Sequence, residues 1–311
     1  MAYRKGQNGG ISPATRITQE IIARLEAGTK PWIKPWRGVP QSRPLRACGI
    51  PYRGMNVFWL WMVADMCGYA SPFWMTYNQA KSLGAQVRKG EKSTIAIFYK
   101  SYTKEVEAPD TGEKTDESRR VLKSYPVFNA DQVEGLPERF YPAATLELVE
   151  PEGRELSLDA FFAAIPVNLR HQGNEAYYEP TADRVTMPPA SLFSGFDHYY
   201  ATLAHELSHW TGHSSRLDRD LKNRFGSDAY AAEELIAELS SAILGAELGL
   251  PVTHLDHHAS YIASWLKILK SDERAILTAA AKAEEAASLL LELGGHQSCE
   301  SEPDIDLADA A

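Results

Sequence analysis

Two histidines and a glutamate stand at helical spacing in the segment His205-Glu206-Leu207-Ser208-His209. Residues four apart on an α-helix share one face, so both imidazoles can bind the same cation. Zinc suits imidazole ligands, and a catalytic zinc ion keeps one coordination position open for water. The ion lowers the pKa of that water toward about 7, and a neighbouring carboxylate takes its proton as it attacks a carbonyl. The spacing therefore predicts a hydrolytic zinc site with His205 and His209 as ligands and Glu206 as general base.

A third ligand is expected on the next predicted helix, within residues 232–238. Glu234 and Glu238 share one face of that helix because they stand four residues apart. The arrangement resembles the Glu-x-x-x-Asp pattern of many zinc peptidases, in which the first carboxylate binds the metal and the second accepts a histidine N–H. We predict Glu234 as the third metal ligand and Glu238 as the outer-sphere acceptor, and the reverse assignment stays open. Glu233 is predicted to be a solvated helix charge.

His213 competes with Glu234 for the role of third ligand, since it stands four residues after His209. Gly212 is expected to end the helix before it. The spacing is also two residues short of the third histidine in the His-Glu-x-x-His-x-x-Gly-x-x-His pattern. The sequence therefore favours Glu234.

The elements expected to position these residues are mostly helical. Apolar residues recur at helical spacing over four segments, 197–212, 230–248, 257–269 and 273–293. A β-hairpin is predicted before them, from strands at 175–178 and 184–187. The first 140 residues mix short helices with strands, and the polar insertion from 105 to 120 is predicted to be a solvated loop. The pattern predicts an α+β fold with a mixed α/β N-terminal domain and a mostly helical C-terminal domain that holds a small sheet.

The sign of the net charge also changes between the N-terminal and C-terminal halves of the chain. The 311 residues carry a net charge of −9, but residues 1–140 hold 21 Lys+Arg against 13 Asp+Glu, whereas residues 141–311 hold 11 against 28. Such asymmetry indicates different partners for the two halves. We predict domains at 1–140 and 150–293, joined by a Pro-containing linker, and an acidic disordered tail at 294–311.

Composition excludes several other classes of protein. No apolar run approaches the ~20 residues of a membrane helix, and the N-terminal residues are polar, so we expect no membrane partner and a cytoplasmic location. The three cysteines are widely spaced and contain no Cys-x-x-Cys pair. Neither a disulfide framework nor a thiolate zinc site is predicted.

The basic half interleaves cations with aromatic rings, which is typical of single-strand binding. Cations neutralise phosphates, and exposed rings stack on unpaired bases at ~1–3 kcal/mol each. Trp59 and Trp61 lie in an apolar run and are predicted to be core. Rings flanked by cations and by Pro or Gly, such as Trp32, Trp36 and Tyr52, are favoured over those in apolar runs. The candidate DNA-binding residues are Trp32, Lys34, Trp36, Arg37, Tyr52, Arg53, Asn56, Trp74, Tyr77, Arg88, Lys89 and Lys92.

Ordered sequence blocks along nearly the whole chain resemble plasmid antirestriction proteins of the ArdC type and the N-terminal part of TraC primase-like proteins. The blocks of the basic half are Ile22-x-x-Leu-x-x-Gly-Thr-x-Pro-Trp32, Tyr52-Arg-Gly-Met-Asn56, Trp74-Met-Thr-Tyr-x-Gln-Ala80, Val87-Arg-Lys-Gly-Glu-Lys92 and Val127-Phe-Asn-Ala-Asp-Gln132. Those of the acidic half are His205-Glu-Leu-Ser-His-Trp-Thr-Gly-His213, Arg216-Leu-Asp-Arg219, Phe225-Gly-Ser227 and Tyr230-Ala-x-Glu-Glu-Leu-Ile-Ala-Glu238.

The resemblance implies a single-stranded-DNA-binding domain followed by a zincin-like metallopeptidase domain with a zinc cofactor. It also implies a protein of a conjugative plasmid that protects incoming DNA from host restriction, in the cell that receives the DNA. Two alternatives stay open. The chain could act only by coating single-stranded DNA, with a dispensable metal site, or it could be a metalloprotease that cleaves a host protein.

Overall fold

The computed structural model describes residues 11–29, 42–107, 114–141, 151–219, 228–250 and 261–296. The elements of the N-terminal half are, in chain order, α1 (Pro13–Glu26), β1 (Leu45–Arg46), α2 (Met55–Cys67), β2 (Phe73–Met75), α3 (Tyr77–Ser82), β3 (Gln86–Val87), β4 (Thr94–Glu107), β5 (Lys114–Asn129) and β6 (Val133–Glu134). Those of the C-terminal half are α4 (Pro151–Ala164), β7 (Asn168–His171), β8 (Tyr177–Glu179), β9 (Arg184–Met187), α5 (Phe196–Trp210), α6 (Asp228–Leu248), α7 (Ile262–Ser271) and α8 (Ala275–Leu293).

Side-chain caps begin two of the N-terminal helices. Ser12 accepts the backbone N–H of Thr15, and Pro13 occupies the first turn of α1, where its missing N–H costs no hydrogen bond. Thr76 and Gln79 form a reciprocal capping box at the start of α3.

A long antiparallel ribbon dominates the N-terminal sheet, whose strand order is β1-β2-β5-β4. Strands β4 and β5 pair in register from Thr94 opposite Val127 to Glu107 opposite Lys114. The solvated loop predicted for residues 105–120 is therefore wrong over most of its length, since 105–107 and 114–120 are strand. The polar sequence there does not prevent pairing, because the backbone groups of each strand satisfy those of the other.

The two halves share one hydrophobic core. Helix α1 packs against α7, and α2 packs against α8. Ile17 and Ile21 of α1 belong to the same buried cluster as Trp265 and Leu269 of α7. Thr18 also donates a hydrogen bond to the backbone carbonyl of Glu273, at 2.7 Å. The boundaries predicted at 140 and 150 stay predictions, but the halves are not packed independently.

A three-stranded sheet in the C-terminal half supports α5. Its order is β7-β9-β8, with β7 parallel and β8 antiparallel to the central β9. Helix α5 contacts β8, β9 and α6, and α8 packs against α6. The predicted hairpin is thus confirmed as β8 and β9, together with a third strand, β7.

No helix in these described segments is long and apolar enough to cross a bilayer.

Candidate metal centre

His205 and His209 lie one turn apart on the buried side of α5. Leu203, Ala204 and Leu207 pack into the core around them and hold the helix in place. The two imidazole rings have centroids 4.9 Å apart and planes at 84° to each other. The predicted helix and the predicted pairing of the two histidines are both present.

Glu234 faces this pair from α6. Its Oε2 lies 3.5 Å from His205 Nε2, and its Oε1 lies 3.6 Å from His209 Nε2. The ligand atoms of the three residues all fall within 4.8 Å of one another, and all three side chains are mostly buried. The structure therefore brings together the three residues that the sequence proposed as ligands.

This donor set fits a tetrahedral divalent ion. Bonds of about 2.0–2.1 Å place neighbouring ligand atoms of a tetrahedral site roughly 3.3 Å apart. The separations of 3.5 and 3.6 Å between Glu234 and the histidines lie close to that value. Two imidazoles and one carboxylate also leave a fourth position for water.

Glu206 lies beside the donors and is 8% exposed. Burial raises the pKa of its carboxyl group, and the neighbouring His205 and His209 oppose that rise. The neighbouring backbone amide of Tyr178, on strand β8, also opposes the rise of this pKa. A carboxylate with a raised pKa is a stronger proton acceptor than a solvated one, which suits a general base.

The charges around the donors attract a cation. Burial alone would raise the pKa of Glu234, but the His205 hydrogen bond and the charges of His209 and His205 outweigh it and lower the pKa to about 2. Burial alone would lower the pKa of His209, but a hydrogen bond to Glu233 and the charges of Glu234 and Glu233 raise it to about 9. A metal ion would take the place of that proton.

Known proteins share both the fold and the sequence. Residues 156–282 match a protein family described as "Zincin-like metallopeptidase". Residues 12–128 match a family described as "N-terminal domain of anti-restriction factor ArdC". The metal-free crystal structure of antirestriction ArdC protein from the R388 plasmid is similar, with a TM-score of 0.78 and 45% identity, over 92% of this chain and 98% of that chain. The chain belongs to the ArdC family.

Other relatives agree with this assignment. The Mn(II)-bound structure of R388 ArdC has a TM-score of 0.74 and 45% identity over 91% of this chain and 98% of that chain. The uncharacterized protein y4eC of Sinorhizobium fredii is 42% identical over 278 residues, 88% of this chain and 89% of the relative. A DNA primase TraC of Escherichia coli is 40% identical over 89% of this chain but only 27% of the primase, so the ArdC-type chain spans about a quarter of that relative. The predicted α+β fold with a C-terminal zincin-like domain is confirmed.

Glu233 has a different environment in this ArdC-family chain from the solvated one that its sequence suggested. It is 8% exposed, pairs with Arg219, and lies 3.3 Å from His209 Nδ1 through Oε1. The prediction failed because Arg219 reaches α6 from the loop after α5, which helical spacing cannot reveal. Glu238 is also buried, and its outer-sphere role stays a prediction.

His213 lies outside the donor group found among the described residues. Its Nδ1 accepts the backbone N–H of Ser215 at 3.2 Å and lies 2.8 Å from the Ser215 hydroxyl. The ArdC-type helix ends at Trp210, as the glycine at 212 suggested.

Three of the predicted DNA-binding residues are structural in this ArdC-type fold. Tyr52 is 3% and Trp74 1% exposed, so neither ring can stack on a base. Asn56 donates to the carbonyl and accepts the N–H of Ile97, both at 2.8 Å, and so ties α2 to β4. The sequence suggested exposure, but contacts with distant segments bury the two rings and occupy the Asn56 amide.

The other candidates divide into two groups. Trp32, Lys34, Trp36 and Arg37 lie outside the described residues. Arg53, Tyr77, Arg88, Lys89 and Lys92 have exposed side chains. Arg53 lies 3.6 Å from Glu284, and Arg88 pairs with Glu91 at 2.7 Å.

Proposed function

We propose that this protein protects DNA entering a cell by conjugation from host restriction, and that it does so in the cytoplasm of the recipient. In this proposal the basic half binds single-stranded DNA, and the zincin-like half is a zinc peptidase. The supporting observation is the group His205, His209 and Glu234 with Glu206 beside it, in a chain 45% identical to an antirestriction protein over nearly its whole length.

The hydrolytic step would use the described side chains in distinct roles. His205, His209 and Glu234 would hold a divalent metal, which when bound supplies the Lewis acidity that activates a water molecule. Glu206 would accept the proton of that water and pass it to the leaving amine. Zinc suits two imidazoles and a carboxylate, and the Mn(II)-bound relative makes manganese the competing metal.

The DNA half of the proposal depends on charge. The basic half has an excess of 8 positive charges over its 140 residues, and the turn that carries Lys89 and Lys92 is exposed. Cations on such a surface bind phosphates without regard to sequence, and exposed rings add stacking. The match of residues 12–128 to the N-terminal domain of anti-restriction factor ArdC agrees with a nucleic-acid partner.

Metal analysis of the full chain tests the peptidase half. We expect about one zinc per chain after dialysis against equimolar zinc and manganese, and loss of the metal in His205→Ala. His213→Ala is the matched control and should keep the metal. A wild-type protein that retains neither metal would contradict the proposal.

Transfer of an unmethylated plasmid into a restricting host tests the antirestriction activity. The variant Glu206→Gln removes the base but keeps the ligands, so its metal content should equal that of the wild type. If hydrolysis is needed, this variant should lose protection although it still binds DNA. If it protects fully, the chain acts by coating DNA and the metal site is dispensable. Cleavage of a recipient protein by wild type alone would identify a peptidase substrate.

A further inference from the structure

Arg219 joins the two helices of the metal centre without reaching the ligand atoms. It is 8% exposed, and its Nη2 donates to the carbonyl of Ser208 at 2.6 Å, inside the helix that carries both histidines. Nη1 donates to Thr211 Oγ1 at 2.9 Å. Nε and Nη2 donate to the two carboxylate oxygens of Glu233 on α6, at 3.0 and 2.8 Å. The guanidinium thus fixes this carboxylate relative to the end of α5.

Glu233 uses the same carboxylate to contact His209. Its Oε1 lies 3.3 Å from His209 Nδ1, while His209 Nε2 faces Glu234. An acceptor at Nδ1 keeps the proton on that nitrogen and leaves Nε2 as the metal donor. Arg219 holds both oxygens of this carboxylate, so the acceptor is fixed in position against the His209 ring.

The loop after α5 is folded so that Arg219 meets Glu233. Leu217 N–H donates to the Thr211 carbonyl at 3.0 Å, and Arg219 N–H donates to the Gly212 carbonyl at 2.9 Å. Asp218 has the left-handed φ of 47°, which turns the chain immediately before Arg219. This loop explains the Arg216-Leu-Asp-Arg219 block of the sequence.

Arg216 holds the other side of that loop. Its guanidinium lies 3.8 Å from the centroid of the Trp210 ring, donates to the Trp210 carbonyl at 2.7 Å, and pairs with Asp183. The two arginines of the block therefore have separate partners. Arg216 fixes the loop against the sheet, and Arg219 fixes the carboxylate behind His209.

We propose that Arg219 and Glu233 are a positioning pair that sets the ring orientation and tautomer of His209. This role rests on the proposed metal site. If the pair acts in this way, metal affinity depends on Arg219, although Arg219 contacts no ligand atom in the structure.

The test measures Zn²⁺ and Co²⁺ affinity of the full-length protein by competition with a chromophoric chelator. We expect Glu233→Gln and Arg219→Gln each to weaken binding by about 10- to 100-fold, as loss of an outer-sphere partner does at other metal sites. The visible absorption of bound Co²⁺ should also shift in both variants. A role in folding alone would not shift it, because the ligands and their geometry would be unchanged. Glu233→Asp, which keeps the carboxylate, should recover part of the affinity.

Three controls separate the possible outcomes. Glu234→Ala should abolish binding, and Glu285→Gln, which removes an exposed carboxylate on α8, should leave affinity within about threefold of wild type. If wild type binds no metal, the metal site and the positioning pair both fail. If wild type binds metal but Glu233→Gln and Arg219→Gln leave affinity and spectrum unchanged, only the positioning pair is overturned.

Circular dichroism of the metal-free proteins identifies misfolded variants, for which Glu233→Asp and Arg219→Lys replace the stronger substitutions.

Discussion

Arg43 Nη2 lies 2.8 Å from both carboxylate oxygens of Glu284. The pair connects the N-terminal half to α8 of the zincin-like half, with side chains 7% and 12% exposed. Arg43 also donates to Glu247 on α6 at 3.2 Å and to the Tyr52 carbonyl at 2.7 Å. Glu284 accepts the backbone N–H of Gly54 at 3.1 Å. The network is mostly buried and joins the N-terminal half to α6 and α8.

Removing one partner of this network should destabilise the whole chain. In Glu284→Ala, Arg43 loses its main carboxylate while it stays buried, so we expect a loss of about 3 kcal/mol in unfolding free energy, limited by the remaining Glu247 contact. Urea unfolding followed by circular dichroism measures this loss. Glu285→Ala, at the exposed neighbouring position, should change stability by no more than about 0.5 kcal/mol. Equal effects of the two substitutions would contradict the prediction.

Trp74 and Tyr77 stand three residues apart, but their substitutions should have opposite effects. Trp74 is 1% exposed, and Trp74→Ala should cost about 3–5 kcal/mol of stability because it leaves a cavity. Tyr77 is 45% exposed, and Tyr77→Ala should leave stability nearly unchanged but weaken single-stranded DNA binding by about 1–3 kcal/mol through lost stacking. Thermal unfolding and fluorescence anisotropy with a labelled oligonucleotide measure the two quantities. Unchanged affinity in Tyr77→Ala would remove Tyr77 from the DNA surface.

Lys89 and Lys92 should contribute to DNA binding through charge alone. We expect the double variant Lys89→Ala, Lys92→Ala to lower affinity for single strands and to reduce the slope of log K against log salt by about 0.7 per lysine. Anisotropy titrations at several salt concentrations measure the slope. Lys267→Ala provides a control in the acidic half, where Lys267 pairs with Asp228 at 2.8 Å. An identical slope in wild type and the double variant would exclude this turn from the interface.

The stability of the metal-free chain should depend on pH through His209 and Glu234. The pKa of His209 is raised from 6.5 to about 9, so its contribution is complete below pH 6.5 and is lost as pH rises towards 9. The pKa of Glu234 is lowered from 4.5 to about 2, so its contribution is present above pH 4.5 and is lost as pH falls towards 2. The contribution of this site to stability should therefore be greatest between about pH 4.5 and pH 6.5.

Thermal unfolding in chelator across this pH range provides the measurement. The variant His209→Gln should lose the alkaline part of the dependence, because no imidazole remains to deprotonate. An alkaline decrease of the same size in this variant would assign the effect to other groups.

Local spacing explains what the sequence alone could predict of the site. His205 and His209 are one helical turn apart, so sequence distance determines spatial distance. Glu234 required only the further assumption that the next helix packs across the first. Glu233 and Arg219 were missed because their contact depends on the path of residues 211–219 after α5, which no periodicity encodes.

Burial in the basic half was harder to predict for the same reason. Tyr52 follows Pro51 and precedes Arg53, which is typical of an exposed loop, yet it belongs to the core shared by both halves. The polar strands of the β4–β5 ribbon were shortened in the prediction because charged residues have low strand propensity. Pairing between the two strands overrides that propensity.

The packing of α1 on α7 and of α2 on α8 limits where the protein can be truncated without exposing its core. A chain cut between the two halves would leave the apolar sides of α1 and α2 uncovered, and we expect such a fragment to aggregate. The proposed DNA binding and the proposed hydrolysis should then be tested separately by point substitutions and not by truncation. The E. coli TraC primase aligns with this chain over 294 residues, 89% of this chain, within a much longer protein, so both halves are matched together there.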